Sequence, residues 1–249
     1  MKFSHLSIFL CLELISYSTE AQPSHATYSL LLKEFVNDEG WVDYVGLGQN
    51  RDKLDNYLYI LRNNHPEDTW SKEEQIAYWI NAYNAFTLQL ILDNYPIESI
   101  KDIGSWLQIP FVNTPWDIEF IEIEGRKYDL NNIEHDILRG EFEEPRIHFA
   151  IVCASYSCPK LGRNAYIAET LDQQLEAAAI DFINDKQKNQ IAPNSVSVSK
   201  IFSWFGSDFK KQTTLREFLN KYSKVRISKD ADIGFLEYNW NLNDQAVLR

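Results

Sequence analysis

Apolar residues recur at helical spacing early in this chain, alternate in its middle, and return to helical spacing towards its end. Tyr28 to Val36 reads as a helix stopped near Gly40, and GWVDY (40–44) as a brief extended segment. Leu47, Leu54, Leu58 and Leu61 define a second helix that ends before Pro66. The clearest element follows. Ser71-Lys72-Glu73-Glu74 is a capping box, in which the serine oxygen and the glutamate satisfy amides that a helix start leaves unpaired. Behind it Ile76, Trp79, Ile80, Tyr83, Thr87, Leu90 and Ile91 form one stripe, closed by Pro96. Asn81 and Asn84 interrupt the polarity of that stripe and read as solvated or bonded to a neighbouring loop.

From Ile97 to Trp116 there is no firm period, and Pro110 and Pro115 mark a loop-rich region. Asp117 to Leu130 alternates around Glu124-Gly125, the pattern of a β-hairpin. Asn131 to Arg139 reads as a short helix ending at Gly140. Arg146 to Cys153, apolar and β-branched, reads as the best strand in the chain. Leu171, Leu175, Ala178 and Phe182 define a long helix. A weaker strand (Val196 to Val198), an aromatic turn (IFSWF, 201–205), a helix from Leu215 to Tyr222 and an aromatic tail (Phe235, Tyr238, Trp240), read as core ahead of a ligand-stacking surface, complete the chain. Helices in runs, with strands gathered between them, predict an α+β fold: mostly helical, with a small mixed or antiparallel sheet.

Residues 1–21 look like a signal peptide, with a basic start at Lys2, an apolar run from Leu6 to Ile15, and a small-x-small cleavage site at Thr19-Glu20-Ala21. The expectation is a secreted or periplasmic protein with one domain over residues 22–249, since no repeat or linker divides the rest. No segment reaches the roughly 20 apolar residues of a membrane span. Setting aside Lys2, Glu13 and Glu20 moves the net charge from −12 to −11. That balance repels nucleic acid and anionic lipid, leaving a small molecule or peptide as the expected partner. Nothing in the pattern speaks to oligomeric state.

Side chains with chemistry concentrate between Leu130 and Leu161. His135 and Arg139 are four apart and share a helix face, whereas the adjacent Glu134 and His135 point in different directions. On an extended strand His148 and Cys153 fall on opposite faces, which argues against a direct dyad. Cys158 escapes that objection, because the small-residue loop that holds Ser155 and Ser157 can turn it back. A strand, a tight loop and a helix would suit a nucleophile: Cys158 or Ser157 attacking, imidazole as base, turn amides or Arg146 holding the anion. Alternatively Cys153 and Cys158 close a small disulfide loop, contributing roughly 2 kcal/mol. Zinc ligation is the least favoured option, because C-x4-C with H-x12-H fits no tight ligand spacing. No metal or cofactor is called for.

The segments GWVDYVGL, AYWINAYNAFTL, LNNIEHDILR, PRIHFAIVCASYSCPKL, IFSWFGSDF and YNWNLN resemble, in order, domain-of-unknown-function family 547. The resemblance places His135, His148 and the loop Cys153 to Pro159 among the family's characteristic positions. It also implies that relatives, plant ones notably, lack a cysteine at position 158, which shifts weight to Ser157 and His148. The WINAYN helix and the later sheet are loosely similar to papain- or transglutaminase-type thiol enzymes. Two functions are carried forward. One is a thiol- or serine-dependent hydrolase or acyltransferase using Cys158, His148, His135, Cys153 and Ser157, with Arg139, Arg146, Ser155 and Glu134 as binding groups. The other is a non-catalytic binding domain with a structural disulfide.

Overall fold

A computed structural model describes residues 23–104 and 114–248. The expected signal peptide and part of the loop-rich region, 105–113, lie outside the described residues. Helices dominate. In chain order they are α1 (Ala26–Phe35), α2 (Tyr44–Gln49), α3 (Arg51–Arg62), α4 (Lys72–Asn94), α5 (Leu171–Asn184), α6 (Ile201–Trp204), α7 (Gly206–Phe209) and α8 (Leu215–Tyr222). The strands are β1 (Ile121–Ile123), β2 (Arg126–Tyr128), β3 (Gln190–Ile191), β4 (Ser195–Val198) and β5 (Asp232–Phe235). The α+β expectation holds, with the strands in two small sheets.

Helix α4 is the structural axis. Its capping box forms as expected, with Glu74 N–H donating to Ser71 Oγ and Ser71 N–H donating to the Glu74 carboxylate. From Ile76 to Ile91 almost every side chain is buried, so the helix is enclosed rather than one-sided. Helix α1 packs on α3 and α3 on α4. Tyr28 and Tyr57 stack at 4.5 Å between the first two. The second helix read from the leucines is two helices, broken at Asn50. Strands β1 and β2 pair antiparallel, Ile121 with Tyr128 and Ile123 with Arg126. Glu124 (φ 49°) and Gly125 (φ 76°) supply the two positive φ angles that suit a tight hairpin turn.

A second core gathers Phe182, Phe202, Phe209, Phe218 and Leu219 between α5, the short helices and the sheet β3–β4–β5. There β4 pairs antiparallel with β3 and parallel with β5. The segment after Pro145 spans both cores: Ile147, Ala150, Ile151 and Val152 belong to the first, Phe149 to the second.

That segment is not the strand its composition predicts. Pro145 to Phe149 is a turn of 3-10 helix, and the chain from Ile151 to Cys153 runs without a strand partner. Pro145 stands at the start, where its missing N–H costs nothing, and Glu144 accepts the first free amide, from Arg146. Beyond the turn the backbone bonds to a side chain. Asn84 on α4 donates to the Ala150 carbonyl (2.9 Å) and accepts from the Val152 amide (2.9 Å), as a neighbouring strand would. Asn81 treats Tyr166 in the same way. Both asparagines are thus buried and bonded to loops.

Candidate functional site

The segment from Asn132 to Leu138 has the helical form expected but a wider turn, with Arg139 N–H reaching back five residues to the Glu134 carbonyl (3.0 Å). Such π-turns are rare and recur at functional sites. This one buries Glu134 against α4, where Tyr83 Oη donates to its carboxylate (3.3 Å), and leaves His135 exposed. His135 accepts from Arg139 (Nη1 to Nδ1, 2.7 Å), as the four-residue spacing predicts.

Arg139 also forms a two-pronged pair with Asp208 on α7, Nε to Oδ2 at 2.6 Å and Nη2 to Oδ1 at 3.1 Å. The same Oδ2 lies 2.8 Å from His148 Nε2. His148 is buried, stacked on Phe205 at 4.0 Å and flanked by Phe209. Its Nδ1 has no hydrogen-bond partner among the described residues and lies 3.9 Å from Glu134 Oε1.

Charge states follow from this arrangement. The hydrogen bond from His148, with help from Arg139, holds the Asp208 carboxyl far below the usual carboxylate range despite partial burial. Burial pulls His148 down, more than the facing Asp208 raises it. The pair is therefore a carboxylate accepting Nε2–H from a neutral ring, which leaves the Nδ1 lone pair free. Burial pushes Glu134 up to about 7, opposed by Tyr83 and Arg139. His135 is lowered by burial and by Arg139.

Cys153 and Cys158 are joined as a disulfide. Ala154 between them turns the chain with a positive φ of 57°. The loop is then tied to the C-terminal stretch, Tyr156 N–H to the Asn241 carbonyl (2.7 Å) and Ser157 N–H to that of Asn239 (3.1 Å). Ser155 Oγ and Tyr238 Oη sit 3.2 Å apart, and both touch the two sulfurs.

These groups meet around one hollow of about 180 Å³. Glu134, His135, His148 and both cysteines line it, walled by Trp116, Trp204, Phe205, Tyr238 and Trp240. Without a strand at 146–153, the opposite-face objection to His148 and Cys153 falls away. A larger groove of about 1330 Å³ flanks the same loop, but neither Glu134 nor either of these histidines lines it. Arg139 supports the hollow from behind through His135 and Asp208. Arg146 does not join it: its guanidinium pairs with Glu144 (2.7 Å), Asp172 (2.8 Å) and Glu176 (3.2 Å). Ser157 stands off too, its hydroxyl accepting from Asn239 N–H (2.9 Å). Among the described residues no group of three or more His, Cys, Asp or Glu side chains is arranged to hold a metal ion.

Sequence reading missed Asp208, Tyr83 and the aromatic wall. Asp208 lies inside the IFSWFGSDF motif, yet no spacing relates it to His148, 60 residues away. Tyr238 and Trp240, read as core, are partly exposed walls of the hollow.

No curated protein and no solved structure matches the chain significantly. A family described as "Protein of unknown function, DUF547" matches residues 67–183, just under half the chain. The match takes in α4, Glu134, His135, His148 and both cysteines, while GWVDYVGL, IFSWFGSDF and YNWNLN fall outside it. Over residues 67–183, then, the chain is similar to the DUF547 family.

Proposed function

We propose that the hollow is a binding site for a small ligand, largely apolar or aromatic, that carries one hydrogen-bonding group. The observation behind this is the convergence of six aromatic side chains, Tyr83 among them, on a space lined by a protonatable acid, Glu134, and by His148, whose Nδ1 keeps a lone pair. Its volume of about 180 Å³ is below the roughly 300–1,000 Å³ of drug-sized sites, so the ligand is of phenol or amino-acid size. The leader-like pattern of residues 1–21 and the disulfide support action outside the cytoplasm. Net negative charge argues against nucleic acid, and among the described residues no helix is long and apolar enough to cross a membrane.

Small phenols and aromatic amines are the probes, followed through the indole N–H signals of Trp116, Trp204 and Trp240. Saturable shifts at these three indoles are expected, with affinity about tenfold weaker in Glu134→Ala from loss of one hydrogen bond. Absence of any saturable shift across the probes would remove the binding reading.

The thiol- or serine-dependent hydrolase or acyltransferase reading ranks second, favoured by the Asp208–His148 pair. A carboxylate that fixes the ring and leaves one nitrogen free is how a general base is built. Against it, both thiols are bonded to each other and Ser157 stands away from the hollow. Thioester turnover that appears only after reduction would favour this second reading over simple binding.

A further inference from the structure

The two sulfurs of the disulfide differ in surroundings. Cys153 is half-buried, whereas Cys158 is 2% exposed. Cys158 Sγ lies 3.0 Å from the Cys153 amide nitrogen, which donates to it. Tyr238 Oη is 3.2 Å away and Ser155 Oγ 3.4 Å, and both also lie 3.3 Å from Cys153 Sγ, so burial and the amide set the two sulfurs apart. In one assignment of protons Ser155 donates to Tyr238 Oη and Tyr238 donates to Cys158 Sγ, which leaves the Ser155–Cys158 approach as a contact without a proton. A disulfide sulfur is a weak acceptor, so two donors aimed at it stabilise it little. A thiolate in the same place accepts charge-assisted hydrogen bonds about twice as strong as neutral ones.

From this asymmetry we infer that the Cys153–Cys158 pair is a reactive disulfide that exchanges with small thiols entering the hollow. Cys153 is the attacked sulfur and Cys158 the leaving one. The incoming thiol gives its proton to His148, whose ring is among the side chains that line the same space, and the resulting thiolate attacks Cys153 Sγ. A bond forms between that sulfur and the small thiol, the Cys153–Cys158 bond breaks, and the electron pair departs on Cys158 Sγ. There it meets the amide and the tyrosine hydroxyl. A second small thiol attacking the mixed disulfide releases a symmetrical small disulfide. The balance is two thiols oxidised and one protein disulfide reduced, with two electrons and two protons taken up by the protein. This inference goes beyond the binding reading and does not need any other ligand in the hollow.

The test uses the full chain, without denaturant, and cysteamine as the thiol. After a short pulse, free thiols are alkylated and the modified peptides mapped. The expected result is cysteamine on Cys153 and the alkyl group on Cys158. Reaction only after unfolding, or cysteamine on Cys158 instead, would overturn the proposal. In Tyr238→Phe, exchange at neutral pH should slow by about three- to tenfold, the worth of one hydrogen bond. The alkylation pH profile of Cys158 in the reduced protein should also move to higher pH. An unmoved profile would refute the stabilising role of the hydroxyl. Should that variant fail to fold, Ser155→Ala carries the same pH measurement, and the wild-type mapping alone decides which sulfur is attacked.

Discussion

Helix α4 and the segment from Pro145 to Leu161 are both apolar runs, yet they were legible to very different degrees. In α4 a capping box, a stripe over several turns and a closing proline all point to one conformation, and the helix forms between those signals. In IHFAIVC, six apolar residues out of seven carry no such agreement, since a short β-branched run suits a strand or a buried irregular segment equally. The second outcome occurs because backbone partners arrive from Asn84 rather than from a strand. What the comparison teaches is that the polar interruptions of α4 are part of the neighbouring segment's structure. An asparagine amide presents a donor and an acceptor together, and so closes a peptide's hydrogen bonds as a strand edge does.

Breaking that link should have the largest effect. Asn84→Ala leaves the Ala150 carbonyl and the Val152 amide buried without partners, at a cost of about 3 kcal/mol. Denaturant unfolding measures the loss. The ligand-induced indole shifts should weaken with it, because the segment carries His148 and Cys153 to the hollow. An Asn84→Ala protein as stable as wild type would mean that the segment holds its own shape.

A smaller effect is expected at the start of the same helix. Ser71→Ala removes one capping oxygen, with about 1 kcal/mol lost and no change at the hollow. Equal damage to stability and to ligand binding would contradict the separation drawn here between the helix start and its middle.

Legibility of the site follows the same logic. His135 and Arg139 were readable because four residues on a helix fix their proximity, and the π-turn preserves it. His148, Cys153 and Cys158 were readable as a cluster along the chain, although their facing was misread for want of a real strand. Asp208, Trp204, Tyr238 and Trp240 were not readable as partners. The three aromatic residues reach the hollow, and Asp208 reaches His148 behind it, through tertiary packing, which no local period encodes. Arg146 shows the converse, since sequence proximity to the cluster counts for nothing once three carboxylates claim it.

Enclosure of the hollow has one direct electrostatic consequence, at Glu134. With its pKa raised by burial from 4.5 to about 7, the folded protein keeps a proton that the unfolded chain releases. The stability contribution is therefore full below pH 4.5 and is lost as pH rises through about 7. Glu134→Gln should be more stable than wild type at pH 8 by up to about 3 kcal/mol and match it at acid pH. The most direct measurement is the carboxyl carbon titration of Glu134 by NMR in the native protein. A midpoint near 7 is the result this account predicts. A midpoint near the ordinary 4.5 would mean that the carboxyl is solvated and that the segment from Pro145 does not close over it.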